Sequence, residues 1–484
     1  MHDMLERDEP TPAEWTFLTR CAVRSARGLE RPMEAGRDVP WSDVGAAYKK
    51  AVRRLEDAGV DGAGLRLQGG EEGREEGLSV PGVGEAGFDV SAKSEPWRRG
   101  YWETLMGLAK TAEHLDGMLL DVTSKTVVAP EFVVGPSNPD PKPMPPWKPE
   151  APLEGNCVPA FEPPETFYLK ILTTKGFSNR QRLEAALAYG EWLGFKDMPE
   201  TAEEVYKWAL DIATSSLEKP DAVIDKKTAV IRPDAPIVTD NVLSAATAMA
   251  THYAQTQNPV AALPIFLSVL RARRAAPLDP AVSTAPAPKP KPPPPQTDIA
   301  AFAGYLKAFA SLFASVPYPP PPPSGEELLV RHAVEDCEEA KLMAYIGEIL
   351  FATSKSQRDL GLRWTKDAVE LAQTRAKDDE VDKKERVKCV GCLEVGLANW
   401  HMMVNLLLQE EEHRASDEPR SKGWKSWIGV GHKEGEDAKN KIKELQQEEK
   451  EWSRCEKTFV RDKLREKLDK SGPPILSPRL LLLY

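Results

Sequence analysis

Between residues 183 and 217, small and apolar positions recur at intervals of three and four: Ala186, Tyr189, Gly190 and Leu193, then Ala202, Tyr206 and Ala209. That spacing predicts two helices joined by a turn, each with one apolar face. Small and large side chains alternate, so in an antiparallel pair Gly190 and Ala202 leave room that Tyr206 and Leu193 fill. A second pair with the same register lies at 242–270. It carries Ala246, Met249, Ala250 and Tyr253, followed by Ala262, Phe266 and Val269. Nine residues separate Tyr253 from Ala262, the interval that also separates Leu193 from Ala202. Pro259 falls at the start of the later helix, where a missing N–H costs no hydrogen bond.

The same patterning extends in both directions. Residues 11–30 read as a helix with Thr11 placed to cap it and Trp15, Leu18, Cys21 and Ala22 on one face. Residues 41–57 read as the second helix of a pair, with Tyr48 and Ala51 as its large and small positions and Val44 where alanine is usual. A helix over 95–122 presents Trp97, Tyr101, Leu105, Leu108, Ala112 and Leu115. Beyond 325, Met343, Ile346, Gly347 and Leu350 precede Gly361 and Ala368, with Trp364 one place early. A long amphipathic helix covers 384–412. Its partner is expected at 434–449, after a turn containing Trp424 and Trp427, and a charged helix at 450–470 would close the array with a polar face.

Between these blocks the pattern breaks. GGEEGREEGLSVPGVGEAG cannot bury apolar surface and is expected to be a disordered excursion near 68–90. The prolines of 129–165 exclude a helix and predict an extended connection or a strap. Residues 276–297 and Pro319–Pro323 are polyproline-II segments, serving as spacers or as ligands for SH3 or WW modules. Between them, IAAFAGYLKAFASLFASV reads as a short apolar helix. The organisation is therefore N-terminal helices over 1–128, a proline-rich connection over 129–165, central pairs over 166–273, a low-complexity region over 274–324, C-terminal pairs with a cap over 325–470, and a tail over 471–484.

Composition narrows the function classes. With 41% hydrophobic residues, the 484-residue chain can build substantial cores, and its 43 prolines separate ordered blocks. Acidic residues outnumber basic ones, 75 to 64, for a net charge of −11. Nucleic-acid binding is disfavoured by that balance, because it requires a concentrated basic face. No apolar run approaches the roughly 20 residues of a membrane span. The first 30 residues lack a secretory core, and MHDMLERDEP is too acidic for a mitochondrial presequence.

Candidate chemistry is sparse. The six cysteines are irregularly spaced, unlike a disulfide framework. Cys389-Val-Gly-Cys392 resembles a redox pair, but it lies inside a helical pattern with no preceding strand, and no second pair completes a zinc site. Packing at small positions accounts for both cysteines, with redox or metal chemistry as the alternative. The seven histidines form no HExxH or close pair. GVGEAG lacks the flanking strand and helix of a dinucleotide site, and no GxSxG occurs. The acidic clusters Glu71, Glu72, Glu75 and Glu76, and Glu410 to Glu412, read as solvated charge. No cofactor is implied, and the expected role is binding rather than catalysis.

The Ala186–Leu193 and Ala202–Ala209 pattern resembles the tetratricopeptide repeat (TPR), a unit of about 34 residues that buries its apolar face only by stacking on neighbours. The resemblance implies an all-α, right-handed superhelix of antiparallel hairpins. Its first helices would line a concave groove for extended peptides or client proteins. Arg182, Asn241, His252 and Asn399 are the polar candidates for that groove, while Gly190, Ala202, Tyr206, Ala209, Ala250, Tyr253, Ala262 and Phe266 are packing positions. Asn399-Trp400-His401 with Val404 resembles the start of another repeat, with His401 at a small-residue position. KSEPWRRGYWETLMGLAKTAEHLDG, ETFYLKILTTKGFSNRQRLEAALAYGEWLG and EEVYKWALDIA are similar to fungal mitochondrial TPR proteins related to the adaptor subunit of the i-AAA protease. That likeness implies a mitochondrial adaptor presenting clients to a membrane protease. Its members carry a presequence and one membrane span, neither of which is recognisable here, so a cytoplasmic relative is the alternative. A structural assembly factor, using the convex face or the Trp424–Trp427 turn, is the other binding role open.

Overall fold

The computed structural model describes residues 6, 8–31, 38–68, 79–80, 84–85, 87–144, 150–277, 317–331, 335–377, 383–417 and single positions between 440 and 454. The described chain is mainly helical, with only short strands. It divides into two compact units, residues 1–216 with 288–326, and residues 217–287 with 327–484.

In the first unit the helices are α1 (Phe17–Glu30), α2 (Trp41–Glu56), α3 (Glu95–Leu115), α4 (Pro164–Thr173), α5 (Asn179–Phe195) and α6 (Pro199–Thr214). Each packs against the next in chain order. Close approach depends on small residues facing rings. A Cβ on Gly107 of α3 would lie 2.5 Å from the Tyr48 ring of α2, and one on Gly190 of α5 would lie 2.8 Å from the Tyr206 ring of α6. Helix α5 begins with a capping box, in which Ser178 Oγ accepts from the Gln181 N–H and the Gln181 side chain accepts from the Ser178 N–H. This satisfies two donors that the first turn would leave unpaired.

The short strands of this unit are β1 (Ser79–Val80), β2 (Gly84–Glu85), β3 (Leu119–Asp121), β4 (Thr126–Val128) and β5 (Cys157–Pro159). β1 and β2 pair antiparallel inside the expected disordered excursion, most of which lies outside the described residues. Its ends are tied down: Gln68 Nε2 donates to the carbonyls of Gly87 and Thr173 at 2.6 and 2.7 Å. β3, β4 and β5 form an antiparallel sheet in the order β4-β3-β5. The helix expected to run to 122 therefore stops at Leu115, and Gly117, at φ +75°, turns the chain into β3.

The first helix also differs from expectation. It starts at Phe17, and Thr11 instead donates its hydroxyl to buried Glu6. Asp61, far along the chain, supplies the cap by accepting from the N–H and hydroxyl of Thr16 at 2.9 and 2.8 Å. Thr19, Ala22, Val23 and Ala26 face inward, while Leu18 is 54% exposed. Trp15 precedes the helix and packs over Gly100, so it does not belong to the helical period.

The second unit contains β6 (Ile224–Asp225), β7 (Val230–Ile231), α7 (Asp240–Gln255), α8 (Pro259–Ala275), α9 (Glu335–Thr353), α10 (Arg358–Lys377) and α11 (Lys383–Asp417). Consecutive helices again pack in chain order, and α11 also returns to α9. Helices α9 and α10 meet backbone to backbone: a Cβ on Gly347 would lie 2.8 Å from the Gly361 carbonyl oxygen. The expected central block of 166–273 is divided at Ser216. Beyond that point the β6–β7 hairpin joins the second core, where the Ile231 N–H donates to Ser268 Oγ of α8. The apolar segment at 299–316, the Trp424–Trp427 turn and the tail at 471–484 lie outside the described residues, as do nearly all of 434–449 and 450–470.

If the facing rings set helix spacing, Gly190→Leu should destabilise the chain by roughly 1–3 kcal/mol through overpacking. Urea denaturation followed by circular dichroism measures this, and an unchanged midpoint would refute it.

Candidate peptide-binding surface

Helix α5 carries Arg182 in its first turn, half-buried, with a buried Nε that pairs with no described residue. Asn241 is fully buried in the first turn of α7, and His252, near the other end of the same helix, is 4% exposed beside the Tyr253 ring. Asn399 is buried on α11 and donates through Nδ2 to Glu348 Oε2 of α9 at 3.1 Å. Arg182 belongs to the first unit and the other three candidates to the second. Asn241, His252 and Asn399 are buried, so of the four only Arg182 is partly exposed.

The packing positions behave differently. Ala202, Ala209, Ala250, Ala262, Tyr206 and Phe266 are all buried, and Tyr253 is half-buried. Ala residues lie inside because they let neighbouring helices approach, and the rings fill the space so created.

Cys389 is bonded to Cys337, joining α11 to α9 with a Cα–Cα distance of 5.0 Å. Cys389 is therefore paired across helices and not with Cys392 of the same CxxC spacing, so packing at a small position does not account for it alone. The helix places Cys389 against α9, where Ala376 and Val390 complete a small apolar cluster. Cys392 lies one turn further along. Burial pushes its thiol up to about 11, with Glu338 adding to the rise against Lys341 and Lys388. At neutral pH such a thiol supplies little thiolate, the form that acts as nucleophile or metal ligand. Among the described residues, no group of three or more His, Cys, Asp or Glu is placed to hold a metal ion.

Buried charge instead fastens helices together. In the second unit Asp336 and Glu339 of α9 meet three arginines: Arg375 of α10 at 2.5 Å from Asp336, Arg274 of α8 at 2.5 Å from Glu339, and Arg331 at 3.2 and 2.9 Å from the two acids. In the first unit Glu6 meets Arg20 and Arg24 at 2.5 and 2.6 Å. Burial alone would raise the Glu6 carboxyl, but Arg20 and Thr11 outweigh it and hold it below its ordinary range. Removing one partner of such a pair leaves an uncompensated buried charge. No sequence spacing announces these clusters, because Glu6 lies 14 residues before Arg20, and Arg274, Arg331 and Arg375 reach α9 from separate parts of the chain.

A second surface involves a segment flagged only for its composition. The run Tyr318–Pro323 is held against α3 by Arg99. The Arg99 guanidinium donates to the carbonyls of Pro319 and Pro320 at 2.5 and 2.9 Å and lies 4.4 Å above the Tyr318 ring. Glu95, one turn earlier on α3, forms an ion pair with Arg99, its Oε1 lying 3.2 Å from Nε. Asn179 of α5 donates to Glu326 Oε1 at 2.7 Å beyond the run. Within the helical pattern of 95–122, Arg99 carried no mark of this role.

No protein-family model, curated protein or solved structure matches the chain. No described helix is long and apolar enough to cross a membrane.

Two outcomes follow from the second unit. Non-reducing peptide mapping should return Cys337 linked to Cys389, and Cys337→Ser should cost roughly 2–4 kcal/mol in stability; a Cys389–Cys392 bridge would refute the assignment. Glu348 is raised to about 7, first by burial and only partly countered by Asn399. A carboxyl raised on folding favours the folded state while protonated, so its contribution is full below the unfolded value of 4.5 and lost as pH rises through about 7. Glu348→Gln should flatten the pH dependence of the melting temperature across that window, and an unaltered profile would refute the assignment.

Proposed function

We propose that the chain is a non-catalytic protein-binding scaffold built from TPR-like hairpins. The observation that carries this reading is the packing of consecutive helices in chain order within each unit, with glycine against ring in the first and glycine against backbone in the second. A stack of this kind produces extended helical surfaces rather than one enclosed pocket. The buried ionisable groups support the same reading, since Glu6 is engaged in holding its segment to α1, and Asp336 and Glu339 in joining helices. Arg182, the partly exposed member of the four polar candidates, is the side chain best placed to donate its guanidinium to a carbonyl of an extended client.

The resemblance of the ETFYLKILTTKGFSNRQRLEAALAYGEWLG stretch to fungal mitochondrial adaptor proteins supplies the setting: presentation of client proteins to a membrane protease. Proximity labelling in the native cell, with a tag at the C-terminus, tests both levels. Inner-membrane protease subunits among the labelled neighbours are expected. Exclusively cytosolic neighbours would remove the mitochondrial setting, and the absence of any enriched protein would remove the scaffold reading. Arg182→Ala should weaken capture of the labelled clients by roughly tenfold while leaving the melting temperature unchanged.

A further inference from the structure

The strap at 318–326 has two dissimilar sides. Toward the helices it offers its carbonyls to Arg99 and the Tyr318 ring to the guanidinium. Away from them, Pro319, Pro320, Pro321, Pro322 and Pro323 are all exposed. The far end is pinned as well. Gly325 is buried at φ +71°, and Glu326 takes the Asn179 amide while its own N–H donates to Ser324 Oγ. A proline run is thus fastened at both ends, with its rings directed to solvent.

The chemistry of the run limits what can recognise it. Each proline lacks an N–H, so the segment cannot be extended as a β-strand by a partner. Each also restricts its predecessor to extended backbone, which leaves the left-handed polyproline helix of three residues per turn. Pro319 and Pro322 then share one ridge, and Pro320 and Pro323 a second. Ridges of this kind fit grooves lined with aromatic side chains, whose donors reach the carbonyls between the rings. Anchoring at both ends removes conformational freedom that a loose linker would lose on binding.

We propose that Pro319–Pro323 is a displayed ligand for a protein module with an aromatic, polyproline-binding groove. A spacer would need neither the Arg99 fork nor the buried turn at Gly325. A segment plugging a peptide groove of its own chain would bury its rings rather than its carbonyls. The strap is independent of whatever the hairpins bind.

The test titrates the full chain into a panel of isolated SH3, WW and EVH1 domains by calorimetry. At least one domain should bind with micromolar affinity. Replacing Pro320–Pro323 by alanine should weaken that binding by at least about tenfold, whereas replacing Pro292–Pro295 should not. Arg99→Ala, with helicity unchanged by circular dichroism, should weaken it by several-fold, because the run loses its anchor. No binding by any domain, or binding that depends on Pro292–Pro295 instead, overturns the proposal. So does tight binding of a labelled YPPPPPSGE peptide to the chain itself after Pro320–Pro323 replacement, which would assign the strap to a groove of its own chain.

Discussion

Two helices can approach closely only where one of them is nearly bare, and three of the described helix pairs depend on that constraint. Gly107 lies under the Tyr48 ring, Gly190 under the Tyr206 ring, and Gly347 against the Gly361 carbonyl. A larger side chain at any of these positions would push the helices apart and open voids beside the rings, losing dispersion contacts on both sides. The apolar faces of α2, α3, α5, α6, α9 and α10 are buried because the small residues permit it. Capping then sets where the helices begin: Ser178 and Gln181 do this locally for α5, and Asp61 does it from a distance for α1.

Charge plays a second, directional part. Apolar packing is insensitive to rotation by a few degrees, whereas an arginine fork is not. The Asp336–Glu339 cluster draws α8, α9 and α10 to one point, and the Cys337–Cys389 bond ties α11 to the same helix. In the first unit Tyr101 donates to Glu56 at 2.7 Å, and Lys170 pairs with the same carboxylate at 2.6 Å, so α2, α3 and α4 share one acceptor. Such groups specify which helix neighbours which, beyond what burial alone requires. The Arg99 fork applies the same directional chemistry to main-chain carbonyls and so converts a compositional run into an ordered strap.

Much of the helical layout was legible in the residues. The Tyr206–Gly190 pairing follows from spacing alone, because a 3.6-residue period places Ala186, Tyr189, Gly190 and Leu193 on adjoining stripes of one helix. The two- and three-residue strands were not legible: β3 and β5 are too short to show alternation, and their pairing joins residues on either side of a proline-rich stretch. The burial of three polar candidates was not legible for a related reason. Periodicity identifies a helix, but one helix in a stack is covered on more than one side, so Asn241, His252 and Asn399 lie inside although they are polar.

The sequence by itself determined the helical elements, the small-against-large positions within each hairpin and the absence of a long apolar span, since each is written in residues within a few turns of one another. Tertiary structure alone decided that Asp61 caps α1, that Cys389 joins Cys337 rather than Cys392, and that Arg99 holds Pro319 and Pro320. These contacts join residues far apart in the chain, and no local period or propensity encodes the geometry that brings them together.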